Sequence, residues 1–443
     1  MYRKIIDLSN KIEKKTIDQR RDFHKYAESG WFEMRTSSII AGKLADMGYK
    51  VITGPDVCEA DAMMGLPTEH ELKEHYQWAK DNGADERFLE PTKFGFTGVI
   101  GIMDCGEGPT VAMRFDIDAL GVIESMDEEH FPYKHGFSSV NDGVMHACGH
   151  DGHASIGLGV AEILMNIRES LHGKVKLIFQ PAEEGVRGAR AIVKKGHLDD
   201  VDYLLASHIS ESDDEDDSDS DLITGSYGSL ATSKFDIYFH GKSAHAGGSP
   251  EKGDNVMLSV ATAILNLQAI PRHSDGITRI NVGKVEAGTG RNVIPDQAKM
   301  EIEVRGETSE INDYVEEYAL RIIKAAAQMH NSSYEIKRMG SAQSLNSDDD
   351  LALKIRDICN KNLIEIKLSD KLKSKNSGSE DVSYMMKKVQ ENGGQATFMR
   401  TLTTITDEAH SRTFNFDEEV LAKGIKIFSI ITYDVLKDLK TTK

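Results

Sequence analysis

Apolar and polar residues alternate along the first half of the chain in blocks of strand and helix length. Short continuous runs of Val, Ile, Leu and Phe each end in polar residues, and helical stretches such as residues 153–171 separate them. Apolar runs of this kind are typical of strands buried on both faces, and their alternation with helices predicts an α/β domain. The predicted strands are VIGIMD (99–104), TVAMRFDID (110–118), KVKLIFQPAEE (174–184) and YLLASHI (203–209).

The polar residues at the ends of these runs are candidates for chemistry. Asp116 and Asp118 follow one predicted strand, Glu183 and Glu184 follow the next, and His208 follows a third. In open α/β sheets, ligands bind at the carboxyl ends of the strands. The pattern therefore indicates a candidate site that these five side chains share.

The pattern changes near residue 230 and predicts a second domain. Its predicted elements follow the order β-α-β-β-α-β, which is that of a ferredoxin-like sandwich. Two more helices are predicted near the end of the chain, at 350–362 and 420–439. We therefore predict a discontinuous α/β/α domain (1–230 and 342–443) with a ferredoxin-like α+β domain (231–341) inserted into it. The elements of the inserted domain are a strand at 234–241, a helix at 255–270, strands at 278–288 and 298–306, a helix at 310–328 and a strand at 333–339.

Two segments fit neither domain. Residues 55–95 are polar with some helical spacing and are predicted to form an insertion that covers another part of the protein. Residues 211–221 carry eight acidic side chains and no basic one, and such a run is typical of a solvated loop. The alternative for the acidic run is a loop that collects metal ions or controls substrate entry.

The charge balance excludes several classes of partner. With 53 Lys and Arg against 72 Asp and Glu, the formal net charge is −19. Nucleic acids and anionic membranes attract basic surfaces, so neither is an expected partner. No apolar run reaches the roughly 18 residues that a membrane-spanning helix needs.

The beginning of the chain and the cysteines favour a cytoplasmic protein. Residues 1–21 lack the apolar core of a signal peptide and are predicted to form an amphipathic helix. Four dispersed cysteines are too few for a disulfide framework, so each is a free thiol or a ligand. Cys58, Cys105 and Cys359 have no companion motif and are expected to be inert.

The densest polar cluster is MHACGHDGH, residues 145–153. Cys148 and His150 are separated by one residue, which allows a thiolate and an imidazole to bind one metal ion. The adjacent Glu183 and Glu184 suit metal-assisted hydrolysis, because one carboxylate can bind metal while its neighbour takes a proton from water. The alternative for Cys148 is a buried structural thiol, and His153 is expected to be a satisfied histidine at the start of a helix.

Several motifs occur in the order found in one protein family. The chain resembles the aminoacylase/carboxypeptidase-type metallopeptidases over essentially its whole length, in the amidohydrolase branch that uses a Cys-Gly-His-Asp motif. The insertion at 55–95 and the missing proline after residue 120 most resemble the members that cleave p-aminobenzoyl-glutamate. The motifs are RFDIDAL (114–120), MHACGHDGH (145–153), FQPAEEG (179–185), SAHAGG (243–248), GTGRNVIPD (288–296), EVRG (303–306), GSEDVSYM (378–385) and EAH (408–410).

This resemblance implies a centre of two divalent metal ions, Mn²⁺ or Zn²⁺. It implies that Glu183 is the general base and that Asp118 orients a metal ligand. Asp116 occupies the position where more distant relatives have a metal-binding histidine, so a contact of Asp116 with metal is left open. The implied metal ligands are Cys148, His150, Glu184, His208 and His410.

The resemblance also gives the inserted domain a role as a lid and dimer surface. It implies that His245 reaches the partner's active site, where it stabilises the oxyanion. Asn292 and Arg305 match positions that bind the carboxylate end of the substrate, although Arg305 could equally be a surface residue at a strand end. A homodimer or a heterodimer with a related protein chain is expected to form through the lid.

The leading hypothesis is a metal-dependent amidohydrolase that acts on N-acyl or N-aroyl amino acids, with p-aminobenzoyl-glutamate as the first candidate. A broader N-acyl-amino-acid or indole-acetyl-amino-acid hydrolase, an aminoacylase or a dipeptidase is the alternative. A hydrolase in which Cys148 is the nucleophile and His150 its base would leave the other histidines and glutamates without a role. A non-catalytic partner subunit is disfavoured because the full ligand set and Glu183 are present.

Overall fold

The computed structural model describes residues 1–212, 219–376 and 378–438 of the 443-residue chain. The six residues 213–218 of the acidic run lie outside this part, so the predictions for that run are not addressed. The α-helices are α1 (Tyr2–Lys25), α2 (Met34–Met47), α3 (Glu69–Asp81), α4 (Glu86–Leu89), α5 (Phe131–Lys134), α6 (His150–Asn166), α7 (Ala189–Lys194), α8 (Val256–Gln268), α9 (Ser309–Met329), α10 (Asp349–Asn362), α11 (Val382–Glu391) and α12 (Glu419–Leu436). The strands are β1 (Lys50–Thr53), β2 (Val99–Asp104), β3 (Thr110–Asp116), β4 (Lys174–Gln180), β5 (Tyr203–Ser210), β6 (Leu222–Ile223), β7 (Ser226–Ser229), β8 (Ala231–His240), β9 (Thr278–Ala287), β10 (Gln297–Gly306), β11 (Ser333–Ala342), β12 (Leu345–Asn346), β13 (Ser374–Lys375) and β14 (Gln395–Leu402).

These elements form two compact units. The first comprises the described residues of Met1–Tyr227, Asn346–Lys375 and Asp381–Lys443. The second comprises those of Gly228–Leu345 and Asn376–Glu380. None of the helices that the structure describes has the length and apolar character needed to cross a bilayer.

The first unit is built on a mixed sheet with the strand order β1-β2-β4-β3-β5-β14-β6. The central strands β4, β3, β5 and β14 run parallel, whereas β1, β2 and β6 pair antiparallel at the two sides. The sheet confirms the predicted α/β class and the four predicted strands. It also contains β14, which the sequence pattern did not predict.

Buried hydroxyl groups explain why β14 was missed. Thr397 and Thr401 interrupt its apolar run, and both are buried. The Thr397 hydroxyl donates to the carbonyl of Thr224, and that of Thr401 pairs with the hydroxyl of Ser207. Because these partners satisfy the hydroxyls, a strand with an irregular polar pattern is stable inside the sheet.

Both faces of the central sheet are covered. Val111, Met113 and Phe115 of β3 belong to a large core to which α6 and α12 contribute. The intervening Arg114 points to the opposite face, where its guanidinium reaches Asp381, the residue that precedes α11. Since successive side chains of a strand point to opposite faces, this arrangement gives the α/β/α layers that the sequence predicts.

Helix α6 begins at His150, three residues before the predicted start. Small residues bring this helix close to the sheet: a Cβ atom on Gly157 would lie 2.7 Å from the ring of Phe115. Gly149 has a φ of 92°, a left-handed conformation that glycine adopts readily, and it turns the chain into the helix. His150, the second residue of the predicted Cys-x-His pair, therefore lies in the first turn of a helix.

The second unit confirms the predicted ferredoxin-like order. Its elements follow the order β8-α8-β9-β10-α9-β11, and the antiparallel sheet has the strand order β11-β8-β10-β9. Helices α8 and α9 contact each other and the sheet. A separate core of Phe235, Ile237, Phe239 and residues of both helices stabilises this unit.

Residues 55–95 lie between β1 and β2 and contain α3, α4 and short 3-10 turns. A capping box begins α3, in which Thr68 accepts from the backbone N–H of Glu71 and Glu71 accepts from that of Thr68. Leu72 and Leu89 of this segment share a small core with Met34 of α2. The segment is therefore a packed part of the first unit.

Candidate metal centre

The predicted residues of the first unit meet at the carboxyl ends of β3, β4 and β5 and at the start of α6. The backbone N–H of Glu184 donates to Asp118 Oδ2 at 2.9 Å, and His150 Nδ1 lies 3.0 Å from the backbone oxygen of Asp118. The loops after two neighbouring parallel strands are thus joined through Asp118 to the first turn of α6.

The predicted ligands form two groups that share one cysteine. The candidate ligand atoms of Cys148, His150 and His208 lie within 4.8 Å of one another, and so do those of Cys148, Glu184 and His410. Cys148 Sγ is 3.4 Å from His208 Nε2, and His410 Nε2 is 3.6 Å from Glu184 Oε1. The structure therefore brings all five together.

The hydrogen bonds fix which nitrogen of two histidines faces the centre. A carbonyl oxygen can only accept, so Nδ1 of His150 donates to Asp118 and Nδ1 of His208 donates to the carbonyl of Ile209 at 2.6 Å. In the neutral rings, Nε2 then carries the lone pair. This is the tautomer that metal-binding histidines adopt when an outer partner holds the other nitrogen.

Unpaired polar atoms show that these residues fit a cation. His150 Nε2 and Glu184 Oε1 are buried, and within the residues that the structure describes neither has a hydrogen-bond partner. Leaving a polar atom buried and unpaired costs roughly 1–3 kcal/mol, and more if it is charged. A thiol, imidazoles and a carboxylate around such atoms match the donors that zinc accepts.

The burial of the centre determines the protonation states of its side chains. Burial raises the pKa of the Cys148 thiol to about 12 and lowers the pKa of His208 to about 3. Burial also raises the pKa of Glu184 to about 7, and the charges of Asp118 and Asp116 contribute. Burial alone would lower the pKa of His150, but the charge of Asp116 and the hydrogen bond to Asp118 raise it well above its usual value.

These states disfavour a nucleophilic cysteine. A catalytic cysteine needs a lowered pKa so that its thiolate forms near neutral pH, and that of Cys148 is raised. The Nδ1 of its proposed base, His150, is turned to Asp118. A divalent cation, in contrast, deprotonates a coordinating thiol outright.

Asp116 and His153 support each other beside the centre. The carboxylate of Asp116 accepts from Arg114 through one oxygen and from His153 Nδ1, at 2.5 Å, through the other. His153 Nε2 in turn accepts the backbone N–H of Ile209 at 2.9 Å. The prediction of a satisfied His153 at the start of a helix is confirmed, and both oxygens of Asp116 are engaged by the protein.

The loop that carries Glu183 and Glu184 has an unusual backbone. Ala182 and Val186 have φ values of 51° and 60°, which few residues other than glycine adopt. Within the loop, the backbone N–H of Val186 donates to the carbonyl of Glu183, and that of Arg187 donates to the carbonyl of Ala182. Glu183 itself is buried, and its carboxylate lies within 4.8 Å of ligand atoms of Glu184 and His150.

Three buried carboxylates hold this loop through its backbone N–H groups. Asp118 accepts from Glu184, Glu33 accepts from Ala182 at 2.7 Å, and Asp381 accepts from the two residues 188 and 189. Neither Glu33 nor Asp381 is among the predicted site residues. Asp381 lies in the motif GSEDVSYM, which could have indicated a role at the site, whereas Glu33 lies in none of the motifs.

His245 and Asn292 lie together in the second unit, where the backbone of Ala246 donates to the carbonyl of Asn292. Both residues are exposed, and Nδ1 of His245 accepts from the N–H groups of Gly247 and Gly248. Arg305 donates to Glu303 on its own strand at 3.0 Å. Both alternatives for Arg305, a substrate-binding residue and a surface residue at a strand end, stay predictions.

Comparisons of the sequence with known proteins agree on one family. The sequence profile described as Peptidase family M20/M25/M40 matches residues 112–433. The chain is 44% identical over 412 residues to indole-3-acetyl-aspartic acid hydrolase of Enterobacter agglomerans, covering 93% of each. It is 41% identical over 418 residues to one of the chains of p-aminobenzoyl-glutamate hydrolase of Escherichia coli (strain K12), covering 94% of this chain and 95% of the relative.

Solved structures agree with the sequence relatives. The aminobenzoyl-glutamate utilization protein from Klebsiella pneumoniae superposes with a TM-score of 0.82 and 37% identity, covering 97% of both chains. A dinuclear metal-binding peptidase of the M20 family from Bacillus subtilis has a TM-score of 0.63 at 24% identity, covering 96% of this chain and 99% of its own. At that identity the second likeness shows the fold alone.

Proposed function

Because the chain belongs to peptidase family M20/M25/M40, we propose that it is a metal-dependent amidohydrolase that cleaves the amide bond of N-acyl or N-aroyl amino acids. The observation that carries this proposal is the convergence of the five candidate ligands beside the buried carboxylate of Glu183. The first candidate substrate is p-aminobenzoyl-glutamate. Indole-3-acetyl-aspartate is the second, because a relative that acts on it is comparably similar.

The proposed centre holds two divalent cations, Mn²⁺ or Zn²⁺. The cations would be held by the two groups of candidate ligands, Cys148 with His150 and His208, and Cys148 with Glu184 and His410. When bound, divalent cations would supply Lewis-acid chemistry to the amide carbonyl and to water in the site. Asp118 keeps His150 oriented and fixes the backbone of Glu184, so both ligands depend on one carboxylate.

Glu183 is the proposed general base. Its buried carboxylate takes a proton from the attacking water and then delivers it to the nitrogen of the leaving amino acid. His245 is the proposed oxyanion donor, since Nδ1 accepts two backbone N–H groups and the hydrogen of the neutral ring lies on Nε2. Asn292 and Arg305 are the proposed carboxylate-binding residues, in a dimer that forms through the second unit.

A substrate panel tests this proposal. The purified protein is loaded in turn with Mn²⁺ and Zn²⁺ and assayed with p-aminobenzoyl-glutamate, indole-3-acetyl-aspartate and acetyl-amino acids. We expect the aromatic acyl conjugates of Glu and Asp to be cleaved, and the activity to disappear with a chelator. Activity that survives complete removal of metal would overturn the proposal, and a preference for simple acetyl-amino acids would replace it with the broader alternative.

Glu183→Ala separates the base from the metal ligands. We expect this variant to lose turnover by at least about 10²-fold while it retains the metal content of the wild type. Asp202→Ala is a matched control, because Asp202 accepts a backbone N–H at the opposite end of β3, far from the centre. Retained turnover in metal-loaded Glu183→Ala would refute the assignment of the base.

A further inference from the structure

Glu33 is a buried acidic residue that contacts the loop after β4. It precedes α2, and its side chain is fully buried. Oε1 accepts the backbone N–H of Ala182 at 2.7 Å, and Oε2 accepts the hydroxyl of Thr97 at 2.6 Å. Among residues 1–212, 219–376 and 378–438, no lysine, arginine or histidine forms an ion pair with it. A buried polar group is costly unless its atoms are hydrogen-bonded, so the partners that Glu33 finds beside the candidate centre call for an explanation.

The residue that Glu33 holds is the one before the proposed base. Ala182 has a φ of 51°, and Pro181 before it has no N–H group to anchor the turn. An L-residue persists in the left-handed region only when its surroundings hold it there. The hydrogen bond from Ala182 to Glu33 therefore holds the backbone of the loop directly before Glu183.

We propose that Glu33 is a positioning residue for the loop that carries Glu183 and Glu184, an inference that rests on the proposed function. Its oxygens accept from Ala182 and Thr97, and it belongs to none of the candidate ligand groups found among the described residues. It acts by fixing the backbone of the loop. A base displaced by about 1 Å costs an enzyme on the order of 10²-fold in rate, so the fixed point matters for turnover.

The same carboxylate links the loop to the segment between β1 and β2. Thr97 is the last residue but one before β2, and its carbonyl accepts the hydroxyl of Ser37 on α2. Arg187 forms a second link, because its guanidinium donates to the carbonyls of both Glu184 and Gly65, at 2.9 and 3.2 Å. Hydrogen bonds through Glu33 and Arg187 therefore connect Thr97 and Gly65 with the loop.

Substitution of Glu33 tests the proposal with the full-length, metal-loaded protein. Glu33→Ala leaves the Ala182 N–H without its acceptor, and we expect kcat to fall about 10- to 100-fold while KM changes by less than about threefold. Glu33→Gln preserves the geometry, because its amide oxygen can accept from Ala182 while its NH₂ group donates to Thr97. We expect Glu33→Gln to retain kcat within about threefold of the wild type.

Glu28→Ala is the matched control. Glu28 is also a fully buried glutamate whose oxygens accept two backbone N–H groups, but these belong to Arg35 and Thr36 in α2 and not to the loop. It differs from Glu33 in that its Oε1 also lies 2.9 Å from His75 Nε2. We expect it to lower the melting temperature without the loss of kcat. Hydrogen exchange of metal-free protein gives a readout independent of activity: peptides covering 180–188 should exchange faster in Glu33→Ala than in Glu28→Ala.

The outcomes are decisive in both directions. Normal kcat and unchanged exchange in Glu33→Ala would overturn the proposal, as would a Glu33→Gln variant that is as impaired as Glu33→Ala. Loss of metal from Glu33→Ala with unchanged exchange of 180–188 would overturn it too, because Glu33 would then act on metal binding without acting on the loop. If Glu33→Ala does not fold, Glu33→Asp replaces it, since its shorter side chain withdraws the acceptor from Ala182. A wild-type protein inactive on the whole panel would refute the proposed function, whereas the exchange experiment would still judge the role of Glu33.

Discussion

Asp118 is the carboxylate on which two proposed ligands depend, so Asp118→Asn tests how the centre is held. In the wild type, its Oδ2 accepts the N–H of Glu184 at 2.9 Å, and its Oδ1 lies 3.3 Å from Nδ1 of His150. In the variant, an amide oxygen that accepts from Glu184 places the NH₂ group opposite His150. Because Nδ1 of His150 already carries a hydrogen, two donors would face each other.

The expected loss of metal affinity follows from these two opposed hydrogen-bond donors. Changing an outer partner of a metal ligand lowers metal affinity about 10- to 100-fold, which corresponds to roughly 1.4–2.8 kcal/mol. His150 keeps its bond to the backbone oxygen of Asp118 at 3.0 Å, so we expect weakened binding rather than complete loss. The effect should also include a loss of kcat, because the backbone of Glu184 adjoins Glu183.

Competition titration measures the effect directly. Metal-free wild type and Asp118→Asn are titrated with Zn²⁺ in the presence of a chromophoric chelator of known affinity. Asp202→Asn is the control, because Asp202 accepts the N–H of Thr110 at 2.7 Å at the other end of β3. A folded Asp118→Asn whose Kd for Zn²⁺ lies within about twofold of the wild type would refute the reasoning, since the outer-partner effect should exceed that margin.

Two further predictions concern stability. Burial raises the pKa of Glu184 to about 7, so in the metal-free protein the folded state holds this proton at pH values where the unfolded state has released it. Stability contributed by protonated Glu184 is therefore lost as pH rises from about 4.5 to about 7. Measured by urea denaturation, the free energy of unfolding of the wild type should fall by up to about 3 kcal/mol relative to that of Glu184→Gln across this window. A difference that stays constant with pH would contradict the prediction, and bound metal should remove the pH dependence. His153→Leu removes the partner of the Ile209 N–H and of one oxygen of Asp116. We therefore expect the free energy of unfolding to fall by about 2–4 kcal/mol while the metal content stays unchanged. A lower metal content in this variant would instead make His153 part of the centre.

The sequence could predict the parts of the fold and site that rest on regular patterns. Continuous apolar runs identified β2, β3, β4 and β5, and the polar residues after them identified where the centre forms. The short spacing of Cys148 and His150 allowed metal binding, and the carboxylates after β4, the histidines at strand ends and the family motifs were needed to favour it over a structural thiol. The order of elements in the second unit followed from periodicity alone, because each element there has its own amphipathic pattern.

Other features depend on contacts between distant residues and leave no local pattern. Glu33 and Ala182 are 149 positions apart, and only the folded chain shows that one holds the other. Strand β14 was missed because partners elsewhere in the chain satisfy its buried hydroxyls. The ring orientations of His150 and His208 are likewise set by backbone carbonyls, and no sequence pattern specifies them.

The separation of the candidate ligands along the chain also bears on when the centre can form during synthesis. Cys148, His150 and His208 are all present once the first half of the chain has left the ribosome, whereas the second group waits for His410. Domains generally fold as units while the chain emerges. A nascent chain that ends before residue 410 can therefore gather only one group of candidate ligands, and the second group can form only after His410 has been synthesised.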